Sequence, residues 1–139
     1  MTASHDKLLG PSIRRLLSEE YLVDLQTCLG REDANLALQV VSYMRALREL
    51  YRICVAKDLD PNWATYIDNY KVNFKVMFDE LSLPWTLKQH IICDHLGEWF
   101  TSQNVTLRAT SGEYIESCHS ALRYLIYDFI KVVSIYIRF

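Results

Sequence analysis

The chain has 139 residues, half of them hydrophobic, and its 15 Lys and Arg against 17 Asp and Glu give a net charge of −2. This length fits one domain with a sizeable core, and three prolines and four glycines are too few for a loop-rich or all-β design. The balanced charge gives no support to non-specific nucleic-acid binding, although a local basic patch remains open.

The N-terminal stretch 1–10 contains no long apolar run. It is therefore expected to be a flexible tail of an intracellular protein rather than a secretory signal. The cysteines are widely spaced and contain no C-x-x-C pair, which argues against a zinc ribbon. Each follows helical apolar spacing, which predicts reduced core thiols at Cys28, Cys54, Cys93 and Cys118.

Apolar periodicity predicts five helices. The first is expected to begin at Pro11 or Ser12 and to end at Gly30, because glycine readily adopts the left-handed conformation that ends helices. The second is predicted from about Asp33, as N-cap, to about Lys57. Its core stripe follows three- and four-residue steps at Ala37, Val40, Met44, Leu47, Tyr51 and Cys54.

The third helix is predicted to start with Asp60 as cap and Pro61 as its first residue, and to end before Pro84. It carries an unusually aromatic stripe. Such a stripe could line a ligand pocket, but it is far more typical of a protein core. The core interpretation covers Trp63, Tyr66, Ile67, Tyr70, Phe74, Met77, Phe78 and Leu81.

A fourth helix is predicted over about Thr86–Thr101. Its i, i+4 row is expected to be the apolar face, with one histidine on it, and consists of Leu87, Ile91, His95 and Trp99. A fifth helix is predicted from Thr110, where the S/T-x-x-E pattern that ends at Glu113 forms a capping box.

The C-terminal part, Tyr124–Phe139, is apolar on nearly every side. It is too short and too charged for a transmembrane span. A buried central helix is the favoured interpretation, and a partner-binding or membrane-surface helix is the alternative. In the second case the contact residues would be Ile126, Phe129, Ile130, Val133 and Tyr136.

Polar residues concentrate between Thr86 and Arg123. In the fourth helix, one helical face carries a histidine and two acids in i, i+4 steps, and in the fifth helix an E-x-x-H pair also shares a face. Helix bundles use such pairs on facing helices to bind metal ions, and imidazole and carboxylate groups are usual zinc ligands. The candidate ligands are His90, Asp94, Glu98, Glu116 and His119.

A simpler interpretation needs no metal. The pair His90–Asp94 would be an ordinary helical ion pair, worth about 0.2–0.5 kcal/mol. Glu113 would serve only as a cap, and His95 would be a hydrogen-bonded core histidine. Glu116 and His119 would belong to a solvated or inter-helix polar network.

The segment 86–123 also resembles a pattern found in uncharacterised proteins encoded by animal mobile genetic elements. That pattern combines TLK-x-H-x-I-x-x-H, an acidic-aromatic step, TLR, and GE-x-x-E-x-x-H-S-x-x-R. The matching residues are Thr86, Leu87, Lys88, His90, Ile92, His95, Glu98, Phe100, Thr106, Leu107, Arg108, Gly112, Glu113, Glu116, His119, Ser120 and Arg123.

The resemblance implies descent from the helical C-terminal part of a transposon-encoded protein such as a transposase. Nucleases of the RNase H type need three carboxylates around two metal ions, two of them from a mixed β/α core. No strand-rich core is readable in this sequence, and the apolar end after Arg123 departs from the polar continuation of the pattern. The resemblance therefore does not imply a surviving nuclease.

Together these patterns predict an all-α, single-domain bundle of about five helices over 1–139. The expected function is that of a non-catalytic interaction module in the nucleus or cytoplasm, with no cofactor and no assigned catalytic residue. Its partner would be another protein or a second copy, bound through the apolar C-terminal helix. One alternative is a metal-binding or transposase-associated fragment, with zinc as the natural ion. The other is a DNA-binding module, which would use Lys88, Arg108 and Arg123, together with Arg45, Arg48 and Arg52.

Overall fold

The computed structural model describes residues 17–106, together with Arg15, Ser120 and Tyr124. No strand occurs in this part of the chain, which confirms the all-α prediction. The fourth predicted helix is built from three consecutive pieces that follow one another without a break. The elements are α1 (Glu19–Gly30), α2 (Ala34–Val55), α3 (Trp63–Leu81), α4 (Leu87–His90), a π-helical turn (Ile91–His95) and α5 (Leu96–Gln103).

Helix α1 begins at Glu19, later in the chain than predicted. Ser18 is extended, with φ −67° and ψ 148°, and its side chain accepts a hydrogen bond from the backbone N–H of Tyr21. Glu19 and Glu20 then occupy the first turn, where negative charge is favourable. Helix α1 ends at Gly30 as predicted, but the prediction of one continuous helix from Pro11 or Ser12 is wrong, because the extended Ser18 caps a helix that starts at Glu19.

Helix α2 lies at the centre of the described fold and packs against both α1 and α3. It starts as predicted, since the Asp33 Oδ1 accepts a hydrogen bond from the backbone N–H of Leu36 at 3.0 Å. Every residue of the predicted stripe on this helix is buried, and so are six further residues that widen it. The buried set is Leu36, Ala37, Val40, Val41, Tyr43, Met44, Ala46, Leu47, Leu50, Tyr51, Ile53 and Cys54.

Helix α3 starts at Trp63 rather than at Pro61. The Asp60 carboxylate accepts from the backbone N–H of Asn62 at 2.8 Å, so that it closes a turn in front of the helix. The core interpretation of the aromatic stripe holds for its central members, which are buried. Phe78 is the exception, because about half of its surface is exposed.

The chain reverses between α3 and α4 through a short connection. Ser82 takes the left-handed conformation at φ 54°, and its N–H donates to the carbonyls of Met77 and Phe78. The Thr86 hydroxyl then accepts from the backbone N–H of Gln89 at 3.3 Å and caps α4. Leu83 is buried within this connection, which anchors the start of α4 to the core.

The end of α5 returns to the centre of the fold. Asn104 ends the helix in the left-handed conformation, at φ 55°. The buried Thr106 hydroxyl donates to the Ala56 carbonyl at 2.7 Å, so that it ties this end to the end of α2. In the described part of the chain, no helix combines the length and apolarity needed to cross a membrane.

The cysteines divide into two groups. Cys54 and Cys93 are buried, as expected of core thiols, whereas Cys28 is exposed on α1. The core prediction is therefore wrong for Cys28, because α1 buries Leu22 and Leu29 instead. Cys118 lies outside the described residues, as do the predicted fifth helix and the apolar C-terminal candidates Ile126, Phe129, Ile130, Val133 and Tyr136.

Candidate metal centre

A π-helical turn gives the candidate site its geometry. The backbone N–H of Leu96 donates to the carbonyl of Ile91, five residues back, so that this turn holds one residue more than an α-helical turn. In a regular α-helix, residues five apart point about 140° away from each other. The extra residue closes this angle and places His90 and His95 beside each other.

The two imidazoles meet edge to face. Their ring centroids are 4.7 Å apart with an interplanar angle of 86°, and the two Nε2 atoms are 3.0 Å apart. Each remaining ring nitrogen faces a carboxylate. The Nδ1 of His90 lies 2.8 Å from an Asp94 oxygen, and the Nδ1 of His95 lies 3.2 Å from a Glu98 oxygen. Four side chains thus form one row, with carboxylates at its two ends.

The chemistry of these atoms limits where protons can be. A carboxylate accepts but does not donate, so each Nδ1 must carry the hydrogen of its contact. The two Nε2 atoms then either share one proton or turn two lone pairs towards each other. Lone pairs of neutral imidazoles are the groups that bind transition metals. A metal ion could therefore occupy the position of the shared proton.

The distance between the two Nε2 atoms suits a zinc ion in place of the proton after a small movement of the rings. Two nitrogens bound to one tetrahedral zinc ion are separated by about 3.3–3.4 Å, given Zn–N bonds of about 2.0–2.1 Å. The observed 3.0 Å requires the rings to separate slightly and to tilt towards a common point. Because both side chains are about half exposed, the core does not oppose this movement.

The carboxylates complete a recurring arrangement of metal sites. Histidines that bind metals commonly donate their other ring N–H to a carboxylate, which fixes the tautomer and orients the ring. Asp94 and Glu98 are placed for this role on His90 and His95 respectively. No set of three or more ligand-type side chains converges within the described residues. The arrangement therefore offers two imidazole nitrogens, and we call it the candidate half-site.

Aromatic and aliphatic side chains lie exposed beside the candidate half-site. The Trp85 ring meets His90 edge-on at 6.1 Å, and about half of its surface is exposed. Leu87 is 72 % exposed and Ile91 48 %, one helical turn apart. We call Trp85, Leu87 and Ile91 the apolar rim.

The predicted apolar row of the fourth helix is wrong for three of its four members, and Trp99 alone of the row packs against the core, partly buried. Leu87, Ile91 and His95 are exposed, and His95 is not a core histidine. The buried face is formed by Ile92, Cys93, Leu96 and Phe100. Burial raises the pKa of the Cys93 thiol to about 11, helped by the negative charge of Asp94, so that this cysteine stays protonated in the core.

A buried polar cluster, which sequence patterns did not indicate, holds this helix in place. The Gln89 side chain is 2 % exposed and lies between two tyrosines of α2 and α3. The Tyr70 hydroxyl donates to Gln89 Oε1 at 2.5 Å, and the hydroxyls of Tyr43 and Tyr70 are 3.0 Å apart. The Gln89 amide nitrogen is 3.5 Å from the Tyr43 hydroxyl. These contacts fix the rotation of α4 and hence the outward direction of His90.

The buried cluster predicts alkaline sensitivity. Burial raises the pKa of Tyr70 well above its usual value, and the neighbouring Tyr43 adds to this. The unfolded chain then loses this proton at about pH 10 while the folded chain keeps it. Stability is therefore fully present below about pH 10 and falls as the pH rises towards the folded pKa. Urea unfolding at a series of alkaline pH values checks this, and constant stability above pH 10 would contradict it.

Three of the five sequence-predicted ligands lie in the described part of the chain. His90 and Asp94 are in contact, whereas Glu98 joins the row through His95 rather than through His90. Glu116 and His119 lie outside the described residues. His95, which the spacing assigned to the core, is the missing member of the pair. An H-x-x-x-x-H spacing would have revealed it only with knowledge of the π turn.

The three described basic residues of the DNA-binding alternative are engaged by acids. Arg45 and Arg48 both bind Glu19, and these two hydrogen bonds lower the pKa of that carboxyl. Arg52 binds Glu49 at 2.8 Å and lies over the Tyr66 ring. The Lys88 side chain, Arg108 and Arg123 lie outside the described set. Arg45 and Arg48 thus join α2 to α1, whereas the ion pair of Arg52 with Glu49 lies within α2.

The described part of the chain also contains a shallow groove away from the histidine pair. The groove, of about 380 Å³, lies between α2 and α3, and it is lined by Ser42, Arg45, Ala46, Glu49, Asn69 and Asn73. It is open and polar, and its arginine already binds Glu19. The histidine pair therefore remains the best-formed candidate.

Comparison with known proteins gave no identity. No protein-family model, no curated protein and no solved structure matched the chain.

Proposed function

We propose that this chain is a helical interaction module that binds a divalent transition-metal ion, best zinc, through the Nε2 atoms of His90 and His95. One observation carries the proposal. The two Nε2 atoms converge at 3.0 Å while each Nδ1 is held by its own carboxylate. Imidazole suits zinc, copper and nickel, and zinc adapts most readily to tetrahedral nitrogen sites.

The role proposed for the metal is to support association rather than catalysis. Catalytic and small-molecule sites are usually concave and enclose most of the ligand. The histidine pair instead lies on an open helix surface beside the apolar rim. Exposed aromatic and aliphatic groups that lie together on a surface are typical of protein interfaces.

The resemblance to mobile-element proteins points to the same two histidines. In the shared pattern TLK-x-H-x-I-x-x-H, the two histidines are His90 and His95, the pair that meets across the π turn. Descent from such a protein, and a place in the nucleus or cytoplasm, belong to the proposal. The C-terminal apolar residues proposed from sequence remain a second candidate contact surface.

The test is a metal titration of the purified chain. We expect Zn²⁺ to bind in calorimetry and Co²⁺ to give a visible spectrum with nitrogen ligands. Asp94→Ala and Glu98→Ala should each weaken Zn²⁺ binding by about 10–100-fold, as is typical of outer-shell partners. His90→Ala and His95→Ala should each weaken it more than these, because they remove a ligand.

The matched control is Asp68→Ala, which removes an exposed acid of α3 that belongs to no described contact with the pair. This variant should bind Zn²⁺ like the unaltered chain. Helix content, measured by circular dichroism, should be the same in all variants, because the altered side chains are exposed. Equal Zn²⁺ affinity of the two histidine variants and the control would overturn the proposal.

A further inference from the structure

We infer that a second copy of this chain completes the metal site, by supplying its own His90 and His95 across a two-fold axis. This inference rests on the proposed metal binding and adds the partner. Two imidazoles fill half of a tetrahedral coordination shell, and structural zinc sites are closed by four protein ligands. If a two-fold axis passes through the metal, each copy supplies the same two nitrogens, so that four ligands result without any further residue.

The position of the pair permits this geometry. His90 and His95 are about half exposed on the outer face of the continuous helix formed by α4, the π turn and α5. The metal-facing Nε2 atoms are the inner pair of the row, while the two carboxylates are at its ends. A second helix of the same kind could therefore approach the nitrogens without first displacing the carboxylates.

The apolar rim supplies the surface to be buried. Trp85 contacts His90 directly, and Leu87 and Ile91 are exposed on the same short stretch of helix. In an isologous pair these side chains are doubled around the metal. Apolar contact around a polar centre adds association energy that a bare four-histidine site lacks.

Charge makes the association depend on the metal. Each candidate half-site presents two carboxylates, Asp94 and Glu98, within one helical turn of the nitrogens. Two copies brought face to face would gather four acidic groups, which repel each other at short distance. One divalent cation at the centre offsets much of this repulsion. The metal-free chain is therefore expected to be monomeric at concentrations at which the zinc-loaded chain pairs.

The experiment measures mass and stoichiometry together on the full chain. Sedimentation velocity after chelation should give the monomer mass of 16.3 kDa, and half an equivalent of Zn²⁺ should double it. Metal analysis of the doubled species should give one zinc per two chains, and chelation should restore the monomer. His90→Ala and His95→Ala should stay monomeric with Zn²⁺.

A charged substitution tests the apolar rim separately. Leu87→Asp should weaken zinc-dependent pairing at least about 10-fold, while Leu38→Asp, at an exposed leucine of α2, should leave it unchanged. Both sites are exposed, so helix content should be preserved. Equal pairing of the Leu87 and Leu38 variants would overturn the assigned interface.

The outcomes separate this inference from the proposed function. Absence of zinc binding would remove both. A zinc-bound monomer with one metal per chain would overturn the second copy but keep metal binding. In that case, a loss of affinity in Glu116→Ala or His119→Ala would assign completion of the site to the chain's own residues.

Discussion

Replacing Phe100 with alanine is expected to lower the free energy of unfolding by about 3–5 kcal/mol. The Phe100 side chain is 1 % exposed, and its ring packs against Trp63 with centroids 5.5 Å apart. Truncation removes a large buried ring and leaves a cavity between α3 and α5 that rigid neighbours fill only in part. Since whole domains are stable by about 5–15 kcal/mol, the loss is a large fraction of the total.

Phe78→Ala is the matched control for this prediction. Phe78 lies on α3 and contacts Phe74, but about half of its surface is exposed. Its truncation should lower the free energy of unfolding clearly less than that of Phe100, because the half-exposed ring of Phe78 buries less apolar surface in the folded chain. Urea unfolding followed by circular dichroism measures both changes. Similar losses in the two variants would show that α5 is not packed as described.

Tyr70→Phe is the second substitution with a large expected effect, a loss of about 1–3 kcal/mol. It removes the hydroxyl that donates to Gln89 Oε1 and contacts the Tyr43 hydroxyl. The Oε1 atom of Gln89, which is 2 % exposed, would then lose its hydrogen-bond donor. An unsatisfied buried acceptor costs more than the hydrogen bond contributes when both partners are present.

A double variant distinguishes this explanation from a general loss of packing. In Tyr70→Phe/Gln89→Leu, the stranded amide is also removed, so the second substitution should cost less than Gln89→Leu alone. Tyr21→Phe, at a half-buried tyrosine of α1, serves as the control with little expected change. Additive losses in the double variant would contradict a role for the hydrogen bonds between these side chains.

The parts of the fold that sequence patterns predicted are those in which one local rule acts alone. On α2, apolar residues at three- and four-residue steps are all buried, and Asp33 caps the helix as its position suggested. The start of α1 was missed because apolar residues continue across Ser18, so that periodicity hides the cap. The Ser18 hydroxyl and the two acids that follow it determine where α1 starts, in line with the known preferences of helix N-termini.

The face of the fourth helix could not be predicted by hydrophobicity. Leucine is ordinarily more buried than glutamine, yet Leu87 is exposed and Gln89 is buried. The reason lies in two other helices, whose tyrosine hydroxyls offer the amide its partners. The meeting of His90 and His95 was missed for a related reason. Helical spacing assumes 3.6 residues per turn, and the π turn violates that assumption locally.

The π turn also affects how far the histidine pair would survive a change in chain length. Such a turn amounts to one extra residue within an α-helix, and the helix on either side keeps its register. Loss of one residue between His90 and His95 would leave Leu96 and Phe100 facing the core, and it would turn the two histidines into an i, i+4 pair, whose members still lie on one helical face. Related chains with the same helices could thus keep the histidine pair with either spacing, H-x-x-x-x-H across a π turn or H-x-x-x-H in a regular α-helix. The placement of two histidines on one helical face, rather than a fixed segment length, would then be the feature to look for in such chains.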